Sequence, residues 1–362
     1  MHPLSGSRPF LLARIVIAHG GLALRRLPTL LFSAIATLLH WPFCVAESVR
    51  VSRRVGRTDF CQQPIFIVGH WRSGTTALHN LMSRDSSFCF PLITDAFRPF
   101  DFYPSPFEGI SRDILLRNLP AKRPMDDLPL LPHLPQEDEI AMATMGAPSF
   151  FNCFYFPRNM SEIFAREVLF EGLTEADAAR WRTCLKYYLA KIACLNSNRR
   201  LLIKNPAHSA RIGELRRLFP GAKFVHIHRD PVEVIASTRK LYRAMLPLLA
   251  LQRYEIVQLD RHILWSYQRL MDRLLASLSQ LPPGDVATVR HKELAADPLS
   301  VVESVCRQLG LSNSGTDRVT LADAPQAQPH VAGPADSSDA AFAHRIRKEL
   351  VAYQVKLGYA CA

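Results

Sequence analysis

Groups suited to holding phosphate stand together at one point of this 362-residue chain. In Gly69-His70-Trp71-Arg72-Ser73-Gly74-Thr75-Thr76, Gly74 lets the backbone approach a ligand closely. Ser73, Thr75 and Thr76 add hydroxyl donors, and Arg72 adds positive charge. Stepping outward, Ile65-Phe66-Ile67-Val68 is a short apolar run that reads as a buried parallel strand, and Ala77–Met82 has helical spacing of apolar residues. Strand, glycine loop and helix together point backbone N–H groups and a helix N-terminus at an anion. The loop is not a Walker A motif, because G-x-x-x-x-G-K-[ST] is absent and no Lys precedes the Thr pair. A polar strand-to-helix turn capped by Thr75 would carry the same pattern, so the loop alone decides nothing.

A second element of the same kind follows Ala222–His228. Arg229 stands at the strand's end, Pro231 suits a first helical turn, and Ser237 lies eight residues beyond Arg229. A cation and a hydroxyl about two turns apart can grip a second phosphate from one side. Asp230 as a simple N-cap explains the turn equally well.

Composition narrows the classes. With 48% hydrophobic and 21% charged residues, the chain can build one sizeable core. Its eight Cys form no C-x-x-C pair and its thirteen His no H-E-x-x-H, so neither a disulfide framework nor a structural metal is expected. The net charge is +12, but residues 1–57 hold eight Arg and one acid, Glu47, and so carry +7 of it. Charge confined to one terminus argues against a nucleic-acid partner. Basic residues beside an apolar run fit an anionic membrane surface instead. From Leu27 to Val45 there is no charged side chain, a reach of roughly 30 Å as a helix. Surface attachment, a span, and a hairpin packed on the protein all stay open. The expected organisation is a basic apolar segment (1–57), a catalytic domain (58–312), and a loose connection with a final helix Ala341–Leu357 (313–362).

The two phosphate elements together resemble the sulfotransferase family, whose donor is 3′-phosphoadenosine 5′-phosphosulfate (PAPS). Arg72–Thr76 is similar to its 5′-phosphosulfate loop, and Arg229 with Ser237 to its 3′-phosphate element. Leu201-Leu202-Ile203-Lys204-Asn205-Pro206-Ala207-His208 is similar to the segment that offers a Lys near the sulfuryl group and a His near the acceptor. Arg290–Leu294, Asp297-Pro298 and the helix ending at Gly310 resemble the end of that domain. The likeness is nearest to bacterial members with a Gly-His-Trp-Arg-Ser-Gly-Thr-Thr loop, some of which act on lipid-like alcohols. It implies a P-loop-like, three-layer α/β fold with a central, mostly parallel sheet, PAPS as co-substrate, and no metal. It also implies a small or lipid-like hydroxyl acceptor. Because that donor is a soluble cytosolic nucleotide, the catalytic domain is expected on the cytoplasmic side of the membrane to which the N-terminus points. The Arg-Lys-Gly-x-x-Gly tail of cytosolic animal members is missing, with only Arg345, Arg347 and Lys348 late in the chain. The base Glu that Golgi-type members carry after the first helix is missing too; Phe88–Phe107 offers only Asp95 and Asp101.

Sulfuryl transfer needs a base for the acceptor's proton and cations for the developing charge. His208, past a strand end and four residues after Lys204, is one candidate base. The other is Gln136-Glu137-Asp138-Glu139, with Glu137 and Glu139 favoured; acids at a helix start are also explained by the macrodipole. The aromatic stretches Phe88–Phe107 and Phe150–Phe156 read mainly as core, with an acceptor pocket as the rival. Two other functions stay open: a phosphoryl-transfer enzyme such as a nucleotide kinase, disfavoured by the missing Walker Lys, and a non-catalytic membrane-bound nucleotide-binding protein.

Overall fold

Strand β1 (Ile65–Val68) has every side chain buried, as a strand covered on both faces must. Successive side chains alternate between faces. Ile65 and Ile67 enter one core with Leu202, Val225 and Ile227, while Phe66 and Val68 enter another with Leu201, Ile203 and Phe224. The remaining strands are β2 (Phe88–Cys89), β3 (Arg200–Lys204), β4 (Lys223–His228) and β5 (Val286–Arg290), and all pairings are parallel in the order β2-β3-β1-β4-β5. Register sets Ile67 beside Lys204, Val68 beside His226 and His228 beside Arg290. The strands that follow β1 go first to one side of it and then to the other, so the loops at its carboxyl end open a crevice.

The computed structural model describes residues 2–56, 60, 63–103, 108–119, 122, 130–197, 199–311 and 337–359. The helices that frame the site run, in chain order, α1 (Pro9–Ala18), α2 (Leu27–Val55), α3 (Thr75–Met82), α4 (Glu139–Thr144), α5 (Glu175–Leu195), α6 (Pro231–Leu249), α7 (Ile256–Leu278), α8 (Pro298–Gln308) and α9 (Ser337–Lys356). Helices α3 and α8 cover one face of the sheet through Leu78, Met82, Val302 and Val305. Helices α5, α6 and α7 cover the other through Trp181, Leu185, Ile235 and Ile263. This is the three-layer α/β arrangement the sequence implies.

The first 56 residues pack on the rest of the protein, one of the arrangements left open for them: Leu4, Leu12, Ile15, Val16 and Cys44 are buried in the main core with the aromatic side chains of Phe150–Phe156. Polar ties run the same way. The Ser7 hydroxyl donates to the Thr144 carbonyl at 2.8 Å, and buried Glu47 pairs with buried Lys191 of α5. The reason is the two-sidedness of α2, whose composition shows apolarity but not which side meets protein. The connection 313–336 lies outside the described residues. The closing helix α9 begins at Ser337 and buries Ile346, Leu350 and Tyr353 in the main core.

Candidate active site

The glycines of the first loop are required by geometry. Gly69 has φ +146°, and a Cβ there would lie 2.2 Å from the Ile227 carbonyl oxygen. Gly74 has φ +96°, and its Cβ would lie 2.4 Å from the His291 ring. Arg72 takes the left-handed region at φ 71° without being glycine, a strained choice that turns its side chain toward the second element. There its Nε donates to the Ser237 Oγ at 2.9 Å. Two stretches 165 residues apart thus meet, so both elements face one crevice. Ser209 fastens the loop's start, accepting from the Gly69 N–H at 2.8 Å and donating to its carbonyl at 3.1 Å. Ser73 is buried, and Thr75 and Thr76 open α3, whose first-turn N–H groups face the crevice end of β1.

Arg229 follows β4 and its Nε donates to Glu233 at 2.5 Å, one turn into α6. Asp230 caps α6, accepting from the Val232 N–H at 2.8 Å. The chain's end reaches this corner. Gln354 donates to Asp230, the Tyr359 hydroxyl donates to the His228 carbonyl at 3.1 Å, and Gly358 lies against the Arg290 guanidinium. Residues Gln354–Tyr359 thus close this corner, while Arg345 of α9 pairs with Glu349. Burial, reinforced by Arg290, lowers the His228 pKa to about 4, and burial with Arg229 nearby lowers that of His291, so both rings stay neutral at pH 7.

The acidic run separates into three pairs. Lys204, at the end of β3, donates to Glu137 Oε1 at 2.5 Å and to the Thr76 hydroxyl at 3.3 Å. Asp138 accepts from His208 Nε2 and from Asn205 Nδ2, both at 2.9 Å. Glu139 accepts from Asn205 Nδ2 at 2.6 Å, from the Phe150 N–H at 2.5 Å and from Arg211 Nη1 at 3.1 Å. Asp138 makes no side-chain cap on α4, so helix capping does not account for the run. Burial pushes the Asp138 carboxyl up, but His208 and Asn205 outweigh it and hold it below the usual range.

The two base candidates sit in different surroundings. His208 is 0% exposed, edge-on to Phe66 and Trp181, with Nδ1 buried and without a hydrogen-bond partner. The Glu137 side chain is 22% exposed and shares Lys204 with Thr76 of the first loop. Glu139 is buried on Arg211. Asp95 and Asp101 are engaged elsewhere, the first with the Leu92 N–H and the second with Arg98 and His40. Asn205 and Arg211 escaped the sequence reading; their only signal there is position, one and seven residues beyond Lys204. Most of Phe150–Phe156 is core, as expected.

With this geometry in view, comparison with known proteins is informative. A profile of the sulfotransferase family matches residues 64–315. The chain belongs to the sulfotransferase family. It is 30% identical over 267 residues to the omega-hydroxy-beta-dihydromenaquinone-9 sulfotransferase Stf3 of Mycobacterium bovis and of Mycobacterium tuberculosis, covering 74% of this chain and 68% of theirs. The fold is shared with sulfotransferase STF1 of M. tuberculosis H37Rv (TM-score 0.68, 17% identity, 94% of this chain and 90% of that one). It is shared also with STF9 of Mycobacterium avium (TM-score 0.66, 17% identity, 87% and 82%).

Proposed function

We propose that this sulfotransferase moves a sulfuryl group from PAPS to the hydroxyl of a lipid-like acceptor at a membrane, with its catalytic domain on the cytoplasmic side. The observation that carries the reading is Lys204. One buried ammonium touches both the donor loop, at Thr76, and the most exposed acid of the run, Glu137. A cation at that junction can stabilise charge on the transferring group and the bridging oxygen while an acid beside it meets the acceptor.

Arg72, Ser73, Gly74, Thr75 and Thr76 hold the 5′-phosphosulfate, and Arg229 with Ser237 the 3′-phosphate. Glu137 takes the acceptor's proton as its oxygen bonds to sulfur. The bond from sulfur to the phosphate oxygen breaks, and adenosine 3′,5′-bisphosphate leaves. Glu137 is favoured over His208 because a base must reach its proton, and His208 is enclosed and already committed to Asp138. His208, Asp138, Asn205 and Glu139 then act as positioning residues that hold the Glu137 backbone against Lys204. No metal is needed where Lys and Arg supply the positive charge. The relative Stf3 acts on a hydroxylated menaquinone, which supports an apolar alcohol as acceptor here.

Calorimetry with PAPS against ATP tests the donor. Binding of PAPS with no comparable binding of ATP is expected; the reverse would replace sulfuryl by phosphoryl transfer.

A further inference from the structure

Helix α2 has two opposite stripes, and they answer the question the N-terminal sequence left open. Ser33, Thr37, Cys44, Glu47, Val51 and Val55 recur at steps of three, four and seven residues and are buried against the protein. On the other side, Leu31, Ile35, Leu38, Leu39, Val45 and Val49 recur in the same way and are exposed, from 47% at Val45 to 74% at Val49. Phe32, Trp41 and Phe43 flank that stripe, also in solvent. The helix is long and apolar enough to cross a bilayer over Leu24–Val51.

Its buried stripe forbids that course. Ser33 is hydrogen-bonded to Ser5 at 3.0 Å, Ser48 accepts from Arg8 at 2.9 Å, and Glu47 accepts from the Tyr103 N–H at 2.6 Å while paired to Lys191. Helix α5, which carries Lys191, also bears Glu175, Asp177, Arg180 and Arg182. A spanning α2 would either break these ties or draw that charged helix into hydrocarbon, where ionised groups are very costly.

We propose that α2 lies in the plane of an anionic membrane surface, its exposed stripe in the outer acyl region and the catalytic domain seated on top, without crossing. The occupant is lipid rather than a second copy because of charge. Residues 1–57 carry eight Arg and one acid, and that acid, Glu47, is buried on Lys191. Two such faces repel, whereas an anionic leaflet attracts Arg25 and Arg50, which are exposed just before and near the end of the stripe. The Pro3–Gly6 turn packs against both α2 and α4. Helix α2 and this turn thus lie between the lipid face and α4, the helix that opens at the acidic run. This inference deepens the membrane attachment proposed above and is independent of the donor assignment.

The test uses the full chain with vesicles of phosphatidylcholine, with and without phosphatidylglycerol. Cosedimentation that requires phosphatidylglycerol and weakens in salt is expected. The double variant Ile35→Glu, Leu39→Glu should lose about tenfold or more of that binding while melting and PAPS affinity stay as in the parent, since both positions face solvent. Depth is read from Trp41, using lipids brominated near the headgroup or at the chain end and Trp41→Phe as the reference. Stronger quenching by the shallow label is expected. Stronger quenching by the deep label means a span and overturns the proposal. So does unchanged vesicle binding by the double variant, or a dimer in solution that the double variant dissolves. Vesicle binding without PAPS binding would uphold this inference and overturn the donor assignment instead.

Discussion

The donor loop and the acidic run sit on either side of Lys204 and are built in opposite ways. Gly69–Thr76 is one contiguous stretch between a strand and a helix, shaped by two glycines whose Cβ positions are filled by Ile227 and His291. Glu137–Glu139 is also contiguous, yet its meaning lies wholly in distant partners: Lys204, His208 with Asn205, and Arg211. The first site is a single stretch that distant neighbours only confine, whereas tertiary packing gives three similar carboxylates three different sets of partners in the second.

The sharpest way to break this contrast is to neutralise the acids singly. Glu137→Gln should lower kcat by about 10²–10⁴-fold, the usual worth of a general base, with PAPS affinity nearly unchanged. Removing the Asp138 partner, in His208→Ala, should act mainly on stability, because it leaves a buried carboxylate with only Asn205 as its side-chain donor, at a cost of about 1–3 kcal/mol. Melting curves and kcat per folded molecule separate the two; a large loss of kcat at unchanged melting temperature in His208→Ala would make His208 the base. Arg211→Leu should resemble His208→Ala, leaving Glu139 buried without its cation and held only by Asn205 and the Phe150 N–H.

On the donor side effects should be smaller and should follow the ligand. Arg229→Ala should weaken PAPS by about tenfold to a hundredfold, as loss of a charge-assisted contact of roughly 1.5–3 kcal/mol would, and adenosine 5′-phosphosulfate much less. Equal losses for both donors would remove Arg229 from the 3′-phosphate. Gly74→Ala carries a strain of about 1–3 kcal/mol from its positive φ, and the clash with His291 adds to it; titration with PAPS should show weaker binding.

The smallest expected effect is on acid stability. Burial pushes the Glu167 carboxyl up, but His19, Asn152 and Arg166 outweigh burial and bring it to about 2. A carboxyl so depressed contributes stability above the ordinary carboxylate range and loses it as pH falls toward 2. In acid titrations, Glu167→Gln should flatten that part of the stability curve; an unchanged slope would mean that the pairing contributes nothing.

How much was legible follows from the same contrast. The strand β1, the loop and α3 were readable because an apolar run, a glycine at positive φ and a helical repeat are properties of neighbouring residues. Arg229 and Ser237 were readable as an element, but not the bond from Ser237 to Arg72, which needs two loops brought together. Helix α2 shows the limit most plainly. Its freedom from charge over Leu27–Val45 is visible in the sequence, while the direction of its stripes is not. Both stripes hold apolar or small residues, and only Glu47, by needing Lys191, declares which side is protein.

By itself, then, the sequence determined the strands β1, β3 and β4 and the glycine loop after β1, because backbone sterics and apolar periodicity act over a few residues, and its motifs carried the resemblance to the family. The tertiary structure alone decided which acid meets Lys204, which base candidate is enclosed, how Tyr359 reaches His228 and which face of α2 is left bare. Those outcomes depend on pairing and desolvation between groups from 67 to 144 residues apart in the chain, which no local pattern encodes.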